Sequence, residues 1–317
     1  MSGFLDLFRP STYGKLPLDD GVEWFVKDWL VPNFRPAFRA IQAPVNALLD
    51  SIDGFLQAVP FPIFWLVAAI LAWRIAGRGV GILTAVSLLL IDMVGIWEET
   101  MTTLAMVITA VTFCAVAGVP LGILAARSDR FAGGLRPVLD IMQTIPTFVY
   151  LVPIVMLFGV GMVPGVIATI VFALPPVIRL TNLGIRQVQG EMVEAGYAFG
   201  ATRRQVLIEI EIPLAMRTIM AGLNQTLMLA LSMVVIAALI GAGGLGLTVY
   251  TGLGRLDVGR AFLGGFGIVL LAIILDRVTQ AMGAPTPAQA NGWTFRGVAR
   301  SLLGGGRSQK AEAAAGQ

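Results

Sequence analysis

The chain has 317 residues, 56% hydrophobic and 13% charged, with a mean hydropathy of +0.82 and a net charge of +3. That leaves too little polar surface to cover a soluble globule of this size, so the chain is read as an integral membrane protein. It has no histidine and a single cysteine, Cys114, inside an apolar run. An intrachain disulfide is therefore excluded and a His/Cys metal site effectively so, and the small, scattered charge makes no case for nucleic acid.

The apolar runs approach the ~20 residues that a helix needs to cross the hydrocarbon, and do not alternate over ~10-residue strands. The expected fold class is thus an all-α polytopic membrane protein with about seven transmembrane helices. Met1–Lys15 shows no apolar stretch ahead of its first charges, so no cleaved signal peptide is expected. Residues 1–60 form an N-terminal interfacial segment. Within it Phe38, Ile41, Val45, Leu48, Leu49, Ile52 and Phe55 recur at helical spacing, which predicts an amphipathic helix lying on membrane lipid, with a kink at Pro44.

Residues 61–97 supply two further spans, Phe61–Ala76 and Val80–Trp97. A core over 98–281 follows, with spans at Thr100–Ala126, Thr144–Val160, Val163–Leu183, Thr218–Ile240 and Val258–Leu275. Pro146 falls near the first turn of its span, where proline is geometrically at home. Residues 282–317, rich in Gly, Ala, Ser and Pro, are expected to be a disordered cytoplasmic tail. One set of loops collects Arg74, Arg78, Arg127, Arg130, Arg136, Arg179, Arg186, Arg203, Arg204 and Arg217, which places those loops inside. The opposite loops hold Arg255 and Arg260 against Glu98, Glu99 and Asp257, and residues 1–60 carry five basic against seven acidic residues, so both are expected outside.

The loop 191–213 is polar, broken by glycine and ended by proline. Met192, Ala195, Gly196 and Phe199 share one helical face, and Gly200 then permits a sharp turn without a Cβ clash. Thr202 and Gln205 have capping-box spacing, so a second helix should start there. Its residues Val206, Leu207 and Ile210 share a face, and Pro213 is expected to end it. Two short helices with apolar side chains on show suit docking of another protein, and equally an amphipathic loop on headgroups.

Glu194, Ala195, Gly196, Gly200, Ile210, Ile212 and Pro213 resemble the EAA signature of permease subunits of binding-protein-dependent ABC importers. That signature reads EAA, three residues, G, nine residues, I, any, L, P. Gly196 replaces the second alanine and Ile212 the leucine; the spacing is otherwise the same. The stretches Pro213–Gly246 and Gly259–Ala281 resemble the permease of glycine betaine/proline-type uptake systems, a likeness running over about Trp65 to Gln280.

The resemblance implies a type I importer permease core. It assigns ATPase coupling to Glu194, Ala195, Gly196, Gly200, Ala201, Thr202, Gln205, Ile210 and Pro213. It also implies two copies of a separate ATPase subunit, an extracytoplasmic substrate-binding protein and pairing of the permease with itself. No G-x-x-x-x-G-K-[ST] loop occurs in the chain, so no cofactor is expected on it, and ATP and Mg²⁺ belong to the partner. The substrate class implied is glycine betaine-like: betaine, choline, carnitine, proline betaine or trimethylamine N-oxide.

Other features are weighed on their residues. The G-x-G-x-x-G of Gly241–Gly246 follows a span-length apolar run and not a strand, so it is read as a flexible outer turn and not a nucleotide site. Asn224, Gln225 and Ser232 are candidate pathway-lining residues, with helix–helix bonding as the alternative. Gly118, Gly122, Gly264, Gly265 and Gly267 are read as close-packing positions. Asp92, an ionisable residue within a span, lies near the outer interface. Trp65, Trp73 and Trp97 fall near span ends as belt residues, and no aromatic cage for a quaternary ammonium emerges. An ion-coupled secondary transporter is the rival function, a non-transporting scaffold that recruits an ATPase a third; apart from Asp92, the predicted spans hold no intramembrane carboxylates for the ion-coupled case.

Overall fold

A computed structural model of the chain describes residues 18–283. Leu18–Glu23 and a π-helical Trp24–Leu30 lead into α1, Val31–Ala58. There follow α2 (Phe61–Ala76), α3 (Arg78–Val94), α4 (Trp97–Arg127), α5 (Asp129–Thr144), α6 (Thr147–Phe158) and α7 (Met162–Arg186). Then come α8 (Gly190–Ala198), the long composite α9 (Arg203–Ile240), α10 (Leu245–Gly254) and α11 (Val258–Gly283). The expected tail begins too early at 282, since Met282 and Gly283 are the last helical residues; the rest of it lies outside the described residues.

Among the described residues, α4, α7, α9 and α11 are each long and apolar enough to cross a membrane, and up to six spans result if each sharply bent pair is one. The bent pairs are Pro36–Ala58 with α2, at 107°, and α5 with α6, at 100°. Every expected span meets a helix. The 17 residues of α3 rise only about 25 Å, and the expected span Thr144–Val160 is realised by α6, entered through a turn at Ile145–Pro146. The amphipathic α5 ahead of it occupies a stretch expected to be an arginine-bearing loop. Ser128 caps it by accepting from the Phe131 N–H, and Ala132 and Leu139 are buried beneath it.

The right angle before α2 places α1 across the bundle end opposite the arginines. Val45, Leu49 and Leu56 are buried, Phe38 meets the Phe158 ring edge-on at 5.5 Å, and Gln57 Nε2 donates to the Glu98 carbonyl at 3.0 Å and Thr102 Oγ1 at 3.1 Å. Pro44 lies inside this helix, which runs from Val31 to Ala58 without a break. Trp65 donates to the Ala85 carbonyl of α3, and Trp97 is packed edge-on by Phe61 and Phe64, so these aromatic faces are occupied by one another.

The core lies where α4, α7 and α9 meet. Met101, Met106, Ala110 and Cys114 face Val166, Ala173, Val177 and Ile178, with Ala230, Leu231 and Val234 closing the third side. Lipid gives no hydrophobic drive between helices, so close backbone approach and a few hydrogen bonds must hold them. Both are present. A Cβ on Gly122 would stand 2.5 Å from Thr181 Cβ and 2.8 Å from the Ile178 carbonyl oxygen, and Thr226 Oγ1 donates to the Ala173 carbonyl at 2.9 Å. Gly118 meets the same face of α7, while Gly264 and Gly267 seat α11 against α10. Gly265 is the exception, with nothing within 4 Å of its would-be Cβ.

The Gly241–Gly246 stretch is a turn packed against the bundle. Gly244, at φ +77°, lets the backbone pass against α4, where the Leu245 N–H donates to Thr103 Oγ1 at 2.8 Å, and α10 starts at once. Asp92 is exposed at the end of α3, three residues before its cap Gly95, as a carboxylate near the interface would be.

Candidate functional site

The Glu194–Pro213 hairpin projects from the end of the bundle where α4 and α7 finish and α9 begins. Its first arm, α8, closes with a paired helix stop. The Gly200 N–H donates to the Tyr197 carbonyl at 2.9 Å and the Ala201 N–H to the Gly196 carbonyl at 3.1 Å, which absorbs carbonyls that a helix end leaves unpaired. That pattern needs a left-handed residue, and Gly200 sits at φ +84°. The second arm restarts immediately. Thr202 Oγ1 accepts from the Gln205 N–H, and Gln205 Oε1 accepts from the Thr202 N–H at 2.9 Å, so the capping box read from the sequence is formed.

Gly196 is buried because Ile210 lies over it: a Cβ there would stand 2.5 Å from Ile210 Cδ1. This contact folds the two arms together. Val206 is fully buried on the same side. Glu194 and Ala195 remain exposed, and of the shared apolar face only Gly196 is covered. Phe199, at the tip, is 93% exposed, and Met192, Tyr197 and Ile208 are exposed too.

Pro213 does not end the second helix. Arg203–Ile240 is continuous, with a π-helical segment at Val206–Glu211 and Pro213 in the first turn of the α-helical stretch after it. The π-helical turn before it interrupts the regular i to i+4 ladder, and such a bulge is where a continuous helix accommodates a proline. The hairpin's second arm is therefore the foot of a membrane span.

The pathway candidates separate. Asn224 is engaged with α11: its Nδ2 donates to Asp276 Oδ1 at 3.0 Å and its Oδ1 accepts from the Thr279 hydroxyl. It holds two helices together, which is the alternative the sequence leaves open for it. Asp276 escaped the sequence reading because it falls one residue beyond the predicted end of its span. Gln225 and Ser232 share an exposed face of α9; Ser232 Oγ donates to the Met228 carbonyl of its own helix.

Around the hairpin, arginines close the bundle end. Arg127 pairs with Glu211 at 2.7 Å, Arg186 with Asp129 at 2.7 Å and Arg179 with Asp140 at 2.5 Å. Beside them opens a cleft of about 420 Å³ lined by Arg136, Asp140, Arg179, Asn182 and Leu183 among others. Glu211 was missed because nothing in linear spacing links it to Arg127.

The family model for the binding-protein-dependent transport system inner membrane component matches residues 118–284, which include the whole hairpin. The chain is 56% identical over 276 residues to the glycine betaine/proline betaine transport system permease protein ProW of Escherichia coli (strain K12), covering 87% of this chain and 78% of that one. It is 43% identical over 277 residues to the glycine betaine transport system permease protein OpuAB of Bacillus subtilis (strain 168), covering 87% and 98%. A trimethylamine N-oxide transport system permease protein, TmoV of Ruegeria pomeroyi, is 39% identical over 277 residues, 84% of this chain and 42% of that one. Among solved structures, a chain of the MetNI methionine ABC transporter in inward-facing conformations shares the fold, with a TM-score of 0.55 at 20% identity over 59% of this chain and 94% of that one. An ion-coupled transporter is thereby set aside: the chain belongs to the binding-protein-dependent transport system inner membrane components, as a multi-pass inner-membrane permease subunit of the glycine betaine type.

Proposed function

We infer that the chain is the translocation subunit of an ATP-driven importer for a glycine betaine-like quaternary ammonium or methylated amine solute, driven by a separate ATPase that docks on the Glu194–Pro213 hairpin. The observation that carries this reading is the hairpin itself: a helix stopped at Gly200, restarted at Thr202 and presenting Phe199 93% exposed. An exposed phenyl ring on a fixed turn suits insertion into a groove of a partner. The arginines beside it support a cytoplasmic side for this end by the positive-inside bias, where ATP is found. The solute class follows the printed names of the relatives, whose ligands share methylated nitrogen. An extracytoplasmic binding protein then selects among them.

In this mechanism closure of two ATPase copies, carrying ATP and Mg²⁺, displaces the hairpin, and α9 moves with it as one rigid element because no break separates them. Gln225 and Ser232 support pairing of two permease copies around the pathway, since exposed polar side chains in mid-span are unfavourable against lipid and favourable against water or a second chain.

The test is a crosslink. Cysteine at Ala201 or Gln205 is expected to trap the ATPase subunit with a short bifunctional reagent in native membranes, over a low background because Cys114 is buried. The same substitution at Gly133, exposed on α5 outside the hairpin, serves as the comparison. Equal labelling at all three positions would defeat the docking assignment.

A further inference from the structure

Glu211 belongs to the hairpin's second arm, yet it is turned inward. It is 8% exposed, and its Oε2 accepts from Arg127 Nη2 at 2.7 Å. Arg127 is the last residue of α4, so the pair ties together segments 84 residues apart. Arg186, the last residue of α7, adds a second tie by donating to the Ala125 carbonyl of α4 at 2.8 Å and pairing with Asp129, the first residue of α5. The hairpin is covalently continuous with α7 and α9 alone. Displacement reaches α4 and α5 through non-covalent contacts alone: the packed seam of α4 with α7 and α9, and, at the hairpin itself, the Arg127–Glu211 pair.

A plainer account exists: arginines at helix ends often meet nearby carboxylates, and such pairs contribute little when exposed. It fits Asp129 and Asp140, whose side chains are 89% and 64% exposed. It does not fit Glu211: the Arg127 side chain is 35% exposed, but that of Glu211 is 11% exposed, so removing the arginine strands a carboxylate held largely away from water. The backbone is also adapted to this placement. Val206 and Glu211 are five positions apart, which on an α-helix separates them by about 140°. Both are buried, because the π-helical segment that spans them carries i to i+5 bonding and brings such positions nearly onto one side.

We propose that the Arg127–Glu211 pair is the strut that makes α4 move with the coupling hairpin, so that Arg127 and Glu211 are positioning residues for ATP-driven transport. The proposal rests on the hairpin being the ATPase dock. Its measurement is the number of solute molecules taken up per ATP hydrolysed, in proteoliposomes holding the permease, its ATPase and its binding protein. Glu211→Gln and Arg127→Gln are each expected to lower that ratio about fivefold or more, with the complex still assembled and hydrolysing ATP, and the charge-exchanged Arg127→Glu/Glu211→Arg pair to restore most of it.

A merely structural role would lower uptake and hydrolysis together and leave the ratio unchanged, which would overturn the strut. If the single variants do not accumulate, the exchanged pair decides: accumulation with a wild-type ratio supports the proposal, accumulation with a low ratio overturns it. A wild-type complex showing no ATP-driven uptake would instead overturn the docking reading, before any variant is compared.

Discussion

Gly200→Leu leaves the permease in the membrane at normal abundance and reduces ATP-driven uptake to background. The would-be Cβ has nothing within 4 Å, so the effect is not a packing clash. It is conformational: Gly200 sits at φ +84°, and a left-handed backbone costs a Cβ-bearing residue about 1–2 kcal/mol. Relief comes by moving φ to negative values, which breaks the bonds from the Gly200 and Ala201 N–H groups and sends α8 onward past its stop. Phe199 and the capping box at Thr202 then point elsewhere, and the ATPase meets the wrong surface. Gly200→Asn separates this from general damage, because asparagine tolerates the left-handed region, and it should keep a large share of uptake. The check is solute uptake in proteoliposomes beside an immunoblot of membrane fractions; full uptake by the leucine variant would refute the role of the turn.

Gly122→Val is expected to act by the opposite route, through stability and not docking. Its first carbon already stands 2.8 Å from a backbone oxygen, that of Ile178, which cannot swing aside as a side chain can. The two helices must part, opening the seam of α4 against α7 that holds Cys114, Val177 and Ile178. Overpacking of this kind costs about 1–3 kcal/mol, sometimes more, and lipid offers no hydrophobic compensation between helices. In detergent the variant should melt at least ~5 °C below the wild type and accumulate poorly. Gly265→Ala, at a glycine with open space around it, should melt like the wild type, and a matching drop there would show that the assay reads glycine loss and not the seam.

The spans were legible because run length alone distinguishes a membrane helix, and the hairpin's stop and restart because a left-handed glycine and a capping box are local devices written in adjacent residues. What stayed hidden depends on partners far along the chain. Asn224 reads either as a pathway residue or as a helix bond until Asp276 and Thr279 arrive beside it from α11. Pro213 reads as a terminator until the π-helical segment before it resets the register. The helix α5 was overlooked for another reason: its charges and Pro137 resemble a loop, although Ser128 and the recurrence of Ala132, Leu135 and Leu139 could have announced it. The pairing of Arg127 with Glu211 has no linear trace.

The right-angled α1 carries a consequence for biogenesis. Its seat is assembled from residues made later: Gln57 waits for Glu98 and Thr102, and Phe38 for Phe158. While the ribosome works through the intervening spans, the stripe of Val45, Leu49 and Leu56 stays bare, shielded only by lipid headgroups. Docking of this strap is thus a late step of maturation, and it marks a molecule whose downstream helices have already found their places.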